Sequence, residues 1–218
     1  MPEPMAAIKQ PRQRRTGAGM GPVGFDLDMT LIDSRPAILA SFAGLARDTA
    51  TAIDLAAVDS RLGIKLEDEL VFWYPPDQRA AAAVAYRRHY VRLAEQMTTA
   101  MPGAHEALAA VRAAGERAVI ITAKHPISVE PSLKAAGLRA DEVFTFVHGP
   151  EKAVVLSRIS AAAYVGDTPP DMAAAVAAGI TAVGVATGSF NRDDLARAGA
   201  DVVLDSMEGF PAWYRSVA

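Results

Sequence analysis

Phe25-Asp26-Leu27-Asp28-Met29-Thr30-Leu31 follows directly on Val23 and Gly24, and the reading of this stretch decides the fold. Val23, Phe25 and Leu27 suit a buried β-strand over Val23–Leu27 that runs straight into acids. Residues i and i+2 of an extended segment project to the same side. Asp26 and Asp28 are therefore expected to face one spot beyond the carboxyl edge of a sheet, where open α/β sheets place their ligands.

The same construction recurs downstream. Val165-Gly166-Asp167-Thr168-Pro169-Pro170-Asp171 is an apolar strand ending in an acid, with a helix starting after it. If the two strands are neighbours, Asp167 joins Asp26 and Asp28. Three converging carboxylates repel and raise one another's pKa unless a cation lies between them. Oxygen ligands without thiol or required histidine point to Mg²⁺. Asp171 also stands near a helix start, where an acid is favoured by capping and the helix dipole. A third strand, Val119-Ile120-Ile121, ends in Thr122-Ala123-Lys124, and Lys152 opens a helix after the strand ending at Val147. A hydroxyl, exposed backbone N–H groups and an ammonium are what a phosphate needs.

Farther out, apolar runs at 118–121, 143–147, 162–165, 181–185 and 202–204 alternate with helical stretches that end at Gly115, Gly137, Gly179 and Gly199. Strands alternating with helices of about ten residues mean βαβ units. The fold class is α/β: a Rossmann-like parallel sheet with helices on both faces. Residues 35–99 read instead as wholly helical, an insertion after the first strand. Its long helix over Arg79–Met97 carries a stripe of Tyr86, Tyr90, Leu93 and Met97 at helical spacing. The expected organisation is a disordered tail over 1–21, an α/β core over 22–34 and 100–218, and the helical insertion over 35–99.

Composition removes other functions. The 218 residues are 51% apolar and 22% charged, and 22 Lys and Arg against 25 Asp and Glu leave a net charge of −3. Nothing here suggests a general nucleic-acid or membrane binder. The chain has no cysteine, so disulfides, thiolate metal sites and thiol catalysis are excluded. No apolar h-region follows Arg12, Arg14 and Arg15, and the expected location is cytoplasmic. Gly19, Gly21 and Gly24 match GxGxxG, but before the first strand, where a dinucleotide fingerprint has no meaning.

The four strand-end signals, in this order, resemble the haloacid dehalogenase superfamily. Asp26 and Asp28 match its DxDxT motif, and Thr122 the hydroxyl of its second. Lys152 is similar to the lysine of its third, and Asp167 with Asp171 matches its fourth, GDxxxD. The insertion is similar to the family's helical cap. Arg61-Leu62-Gly63 and Gly199-Ala200-Asp201-Val202-Val203-Leu204 resemble its phosphoglycolate phosphatase-like branch. The resemblance implies Asp26 as nucleophile, forming an aspartyl-phosphate, and Asp28 as general acid, then base. It implies Mg²⁺ held among Asp26, the Asp28 carbonyl and Asp167, with Asp171 beside them, and Thr122, Ala123 and Lys152 on the phosphoryl oxygens.

The pattern also departs from the family. Met29 stands where glycine is common, and Lys152 lacks the usual following proline, which keeps Lys124 open as a rival phosphate-binding lysine. An acid at Asp28 favours a phosphatase over a dehalogenase. A phosphomutase of the same fold and a phospho-accepting signalling module are the alternatives. The implied partner is a small phosphorylated metabolite, with no nucleic acid or membrane, and the chain is expected to be a monomer or homodimer. In the insertion, Arg61 and Lys65 are candidates to meet substrate by family analogy. Arg87, Arg88, His89 and Arg92 read as a solvated face, and His105, His125 and His148 as incidental.

Overall fold

The computed structural model describes residues 20–218; all but the last two positions of the expected tail lie outside them. In chain order the elements are β1 (Val23–Phe25), β2 (Ile32–Asp33), α1 (Arg35–Thr49), α2 (Leu55–Ser60), α3 (Leu66–Glu69), α4 (Arg79–Met97), β3 (Thr99–Ala100) and α5 (Ala104–Ala113). There follow β4 (Ala118–Ile121), α6 (Pro126–Ala136), β5 (Glu142–Phe144), α7 (Pro150–Arg158), β6 (Ala163–Gly166), α8 (Pro169–Ala178) and β7 (Thr181–Val185). The chain closes with α9 (Arg192–Arg197), β8 (Val202–Leu204) and α10 (Phe210–Val217). Six strands form one parallel sheet in the order β5-β4-β1-β6-β7-β8. The fold class read from the sequence is the one observed.

Strand alternation splits the core. Val23, Phe25, Ala118, Ile120, Ala163, Val165, Val183 and Val185 face one side, against α5 and α10 through Leu108, Val111, Phe210 and Tyr214. Val119, Ile121, Tyr164 and Ala182 face the other, against α7, α8 and α9 through Leu156, Met172, Ala175 and Leu195. Each fully buried large side chain stabilises the fold by about 1.5–3 kcal/mol relative to exposure. A third apolar cluster lies within the insertion, between α1 and α4, and includes Phe42, Leu45, Leu70, Tyr86 and Tyr90.

Four local readings are corrected. β1 ends at Phe25 rather than Leu27, because the Leu27 carbonyl turns to accept the N–H groups of Leu31 and Ile32. Met29, in that turn, takes φ +60°, which explains why glycine is favoured there. β5 stops at Phe144: Phe146 has φ +59°, and the N–H groups of Phe146 and Val147 donate to the Lys124 and Thr122 carbonyls. Thr99 is not helical but pairs antiparallel with Asp33, in a two-stranded ribbon where the chain leaves and re-enters the core. On α4 the buried stripe is Ala82, Ala83, Tyr86, Tyr90 and Ala94, with Leu93 and Met97 only half-buried.

Candidate active site

β1, β4 and β6 are neighbours in the sheet, so their carboxyl ends bring the motif loops to one place. The Asp26 N–H donates to the Val165 carbonyl, which fixes the first acid beside the loop that carries Asp167. Carboxylate oxygens of Asp26, Asp167 and Asp171 all lie within 4.8 Å of one another, and all three residues are buried. Lys152, 5% exposed, donates its ammonium to Asp26 Oδ1 and Asp171 Oδ1, both at 2.7 Å. Asp171 also caps α8, accepting from the Thr168 hydroxyl and N–H at 2.6 and 3.2 Å. Its capping and its place in the site are therefore one arrangement.

Asp28 sits apart from that triad, with its own donors. Its Oδ1 accepts from the Ser34 hydroxyl at 2.5 Å and the Lys124 ammonium at 2.6 Å. Lys124 lies 4.1 Å from the ring centre of Tyr90, and the Tyr90 hydroxyl bonds Ser132 Oγ at 3.0 Å. The two lysines thus divide the acids between them: Lys152 holds Asp26 and Asp171, and Lys124 holds Asp28. Thr122 is buried, with its hydroxyl oxygen accepting the Lys124 N–H. Asp26, Asp28, Thr122, Ala123, Lys124, Lys152, Asp167 and Asp171 all border one cavity of about 150 Å³.

The electrostatics follow from burial. Desolvation, with Asp171 and Asp28 nearby, pushes the Asp26 carboxyl up to about 7 despite Lys152. Asp167 is also pushed well above the usual carboxylate range, by burial and by Asp26 and Asp171. Burial works against the Lys152 ammonium, but Asp171 and Asp26 outweigh it and hold its pKa well above the ordinary lysine value. Three crowded carboxylates with one lysine among them leave negative charge uncompensated, and the donors are all oxygens. That donor set fits a hard divalent cation such as Mg²⁺. Two glycines make the crowding feasible. A Cβ on Gly188 would stand 2.0 Å from Asp167 Oδ2, and one on Gly166 would stand 2.5 Å from the Asp171 Cβ.

Several participants escaped the sequence reading as separate residues. The Thr30 hydroxyl donates to Asp167 Oδ1 at 3.1 Å, so the threonine of DxDxT anchors the acid of another motif. Ser34 offered no signal beyond its closeness to the motif. From the insertion, Phe42, Tyr86, Arg87 and Tyr90 border the cavity. Arg87 thereby departs from the solvated face expected of its stretch, because it leans toward the core and pairs with Glu67. Arg88 pairs with Asp48 on the outside, whereas His89, which pairs with the same acid, packs against Gly44 of α1 and is not on a solvated face either. Arg61 borders the cavity, but Lys65 is exposed and does not. His125 borders it too, and its ring accepts the Ile127 N–H at the start of α6.

With this geometry the comparisons with known proteins agree. The family model of haloacid dehalogenase-like hydrolases matches residues 23–176, from the first strand into α8. The chain belongs to the haloacid dehalogenase-like hydrolases. A second model of that group matches residues 150–209. This hydrolase is 31% identical over 204 residues to "Probable phosphatase IndB" of Dickeya dadantii, covering 84% of this chain and 88% of that one. It is 30% identical over 207 residues to a plasmid-borne phosphoglycolate phosphatase of Cupriavidus necator, covering 86% and 90%. Among solved structures, a haloacid dehalogenase-like family hydrolase from Streptococcus pneumoniae superposes with a TM-score of 0.78 at 20% identity, covering 89% and 98%, and shares the fold. By family and by relatives alike, this chain is a phosphatase-type hydrolase. Among the described residues no helix is long and apolar enough to cross a membrane.

Proposed function

We propose that this hydrolase is a Mg²⁺-dependent phosphatase that cleaves a small phosphate monoester through an aspartyl-phosphate on Asp26, on the phosphoglycolate phosphatase-like plan. The observation that carries the reading is the division of the acids. Asp26 lies with Asp167 and Asp171 around Lys152, while Asp28 stands apart with Ser34 and Lys124.

Asp26 attacks phosphorus in line, and the ester oxygen departs with a proton delivered by Asp28. Water then cleaves the acyl-phosphate, with Asp28 as its base and Asp26 regenerated. Lys152 keeps the Asp26 carboxylate oriented and meets the equatorial phosphoryl oxygens together with the Thr122 hydroxyl and the Ala123 N–H. Asp26, Asp167, Asp171 and the Asp28 carbonyl form the place for Mg²⁺. When bound, the ion neutralises the crowded carboxylates and the phosphoryl charge. Residues 35–99 act as a cap over a core of 22–34 and 100–218, excluding water from the phosphoryl group. The partner is a small phosphorylated metabolite rather than nucleic acid or membrane. The protein works in the cytoplasm as a monomer or homodimer.

Replacing Asp26 with Asn tests the reading. With Mg²⁺ present, turnover of an aryl phosphate should vanish while the fold survives. Retained activity would sink the proposal. Release of inorganic phosphate, rather than isomerisation of a sugar phosphate, separates the phosphatase from a mutase. A long-lived phosphoprotein without turnover would point to a signalling module instead.

A further inference from the structure

The cap side of the cavity is unlike the core side. Its wall is built from Ile38 and Phe42 of α1, Val58 of α2, Leu62, Leu66 of α3 and Tyr86 of α4. The Phe42 and Tyr86 rings are 4.7 Å apart at 49° and both border the cavity. Such a wall binds apolar and aromatic groups and gives nothing back to a charged one, which must shed its water on entry.

Two guanidinium groups border the same space, and both already hold a carboxylate. Arg61 donates Nε and Nη2 to the two oxygens of Glu69, at 2.9 and 2.6 Å. Glu69 is itself buried and receives the Trp73 indole N–H at 2.8 Å, so the pair is fixed from both ends. Arg87 pairs with Glu67. His125, which borders the same cavity, has its pKa lowered by burial and by Arg87. Lys124 is bound to Asp28. Every cation on this side therefore carries its own anion. Two donors have no protein acceptor: the Tyr86 hydroxyl, which makes no hydrogen bond among the described residues, and the buried Nε–H of Arg87.

We infer that the leaving group of the substrate is a compact, uncharged, mainly apolar alcohol, of benzylic type, with at most one neutral oxygen to meet Tyr86 or Arg87. The inference rests on the phosphatase reading and narrows it, away from esters whose alcohol carries a carboxylate. A carboxylate placed against this wall would lose its hydration and would have to compete with Glu69 and Glu67 for the two guanidinium groups. Size sets only an upper limit: the cavity of about 150 Å³ must admit the phosphoryl group too, so the leaving group is compact, no larger than one small ring.

The test compares kcat/KM of the Mg²⁺-loaded protein for benzyl phosphate, 2-phosphoglycolate and glycerol 3-phosphate. All three are esters of alkyl alcohols, so intrinsic reactivity does not decide the order. Benzyl phosphate should lead both others by at least about tenfold. Phe42→Leu should erase most of that lead by raising KM for benzyl phosphate alone. Equal values, or a lead for 2-phosphoglycolate or glycerol 3-phosphate, would overturn the inference and leave the phosphatase reading standing. A lead that survives Phe42→Leu would also overturn it, because the wall would then not be its source. If a folded, Mg²⁺-loaded protein turned over none of the three, the phosphatase reading itself would fall, and the inference with it.

Discussion

The two halves of the cavity are made by different means. On the core side, charged groups stand at the ends of neighbouring parallel strands and are locked by short bonds, such as Lys152 to Asp26 and Asp171. On the cap side, apolar groups from α1, α2, α3 and α4 meet across the insertion, and the charges present are paired among themselves. On the proposed reading, the first half carries the chemistry and the second chooses the substrate. Substitutions on the core side should therefore change kcat for every ester, whereas those on the cap side should redistribute KM among esters.

The largest effect is expected at Lys152. Lys152→Met leaves Asp26 and Asp171 buried without their cation, and should lower kcat at least about a hundredfold for all esters. It should also lower stability by about 3 kcal/mol near neutral pH, measured by urea unfolding. A change in KM alone would place Lys152 on the wrong side of the comparison.

Lys124→Met comes next. It removes the partner of Asp28 while leaving the triad around Asp26 intact. The expected result is a fall of about tenfold or more in kcat, with Mg²⁺ affinity unchanged by calorimetry. Lys124→Arg should restore part of it. A change in Mg²⁺ affinity on Lys124→Met would merge the two lysine groups that the structure separates.

The third prediction concerns pH. The Asp26 carboxyl is raised from the ordinary 3.8 to about 7, and Asp167 is raised as well. The folded, metal-free protein thus holds protons that the unfolded chain has already released. Stability from these groups is complete below about pH 4 and is lost as pH rises through about 7. On the proposed reading Mg²⁺ takes the place of those protons, so its effect on Tm should be several degrees greater at pH 8 than at pH 5. An equal shift at both values would mean that the cation does not bind among these acids.

The smallest effect is expected at the seam. Tyr90→Phe removes one hydroxyl bond from α4 to Ser132 on α6. It should cost about 1 kcal/mol in urea unfolding and leave kcat within about twofold.

The same division decides what could be read from the chain. The sheet and its acids were legible because strand-end motifs need only local order: an apolar run, an acid, a turn. Asp26, Asp28, Thr122, Lys152, Asp167 and Asp171 border the cavity as positions in such motifs do. The rivalry between Lys124 and Lys152 was not resolvable, since both follow strands and only packing shows that each has its own acid. Arg87 looked like its neighbours Arg88 and Arg92, because the direction of α4 relative to the core is set by tertiary contact. The β2–β3 ribbon was hidden for a related reason: two residues on each side carry no periodicity, and the pairing joins positions far apart in the chain. Met29 was legible only as an oddity, until its left-handed backbone explained it.

The central claim is that Asp26 becomes phosphorylated during turnover. The direct measurement is acid quenching of the enzyme with Mg²⁺ and a ³²P-labelled monoester in the steady state, followed by peptide mass analysis. The account predicts label on Asp26, lost on chase with unlabelled ester and absent from Asp26→Asn. Steady turnover with no labelled protein, or label on any other residue, would contradict it.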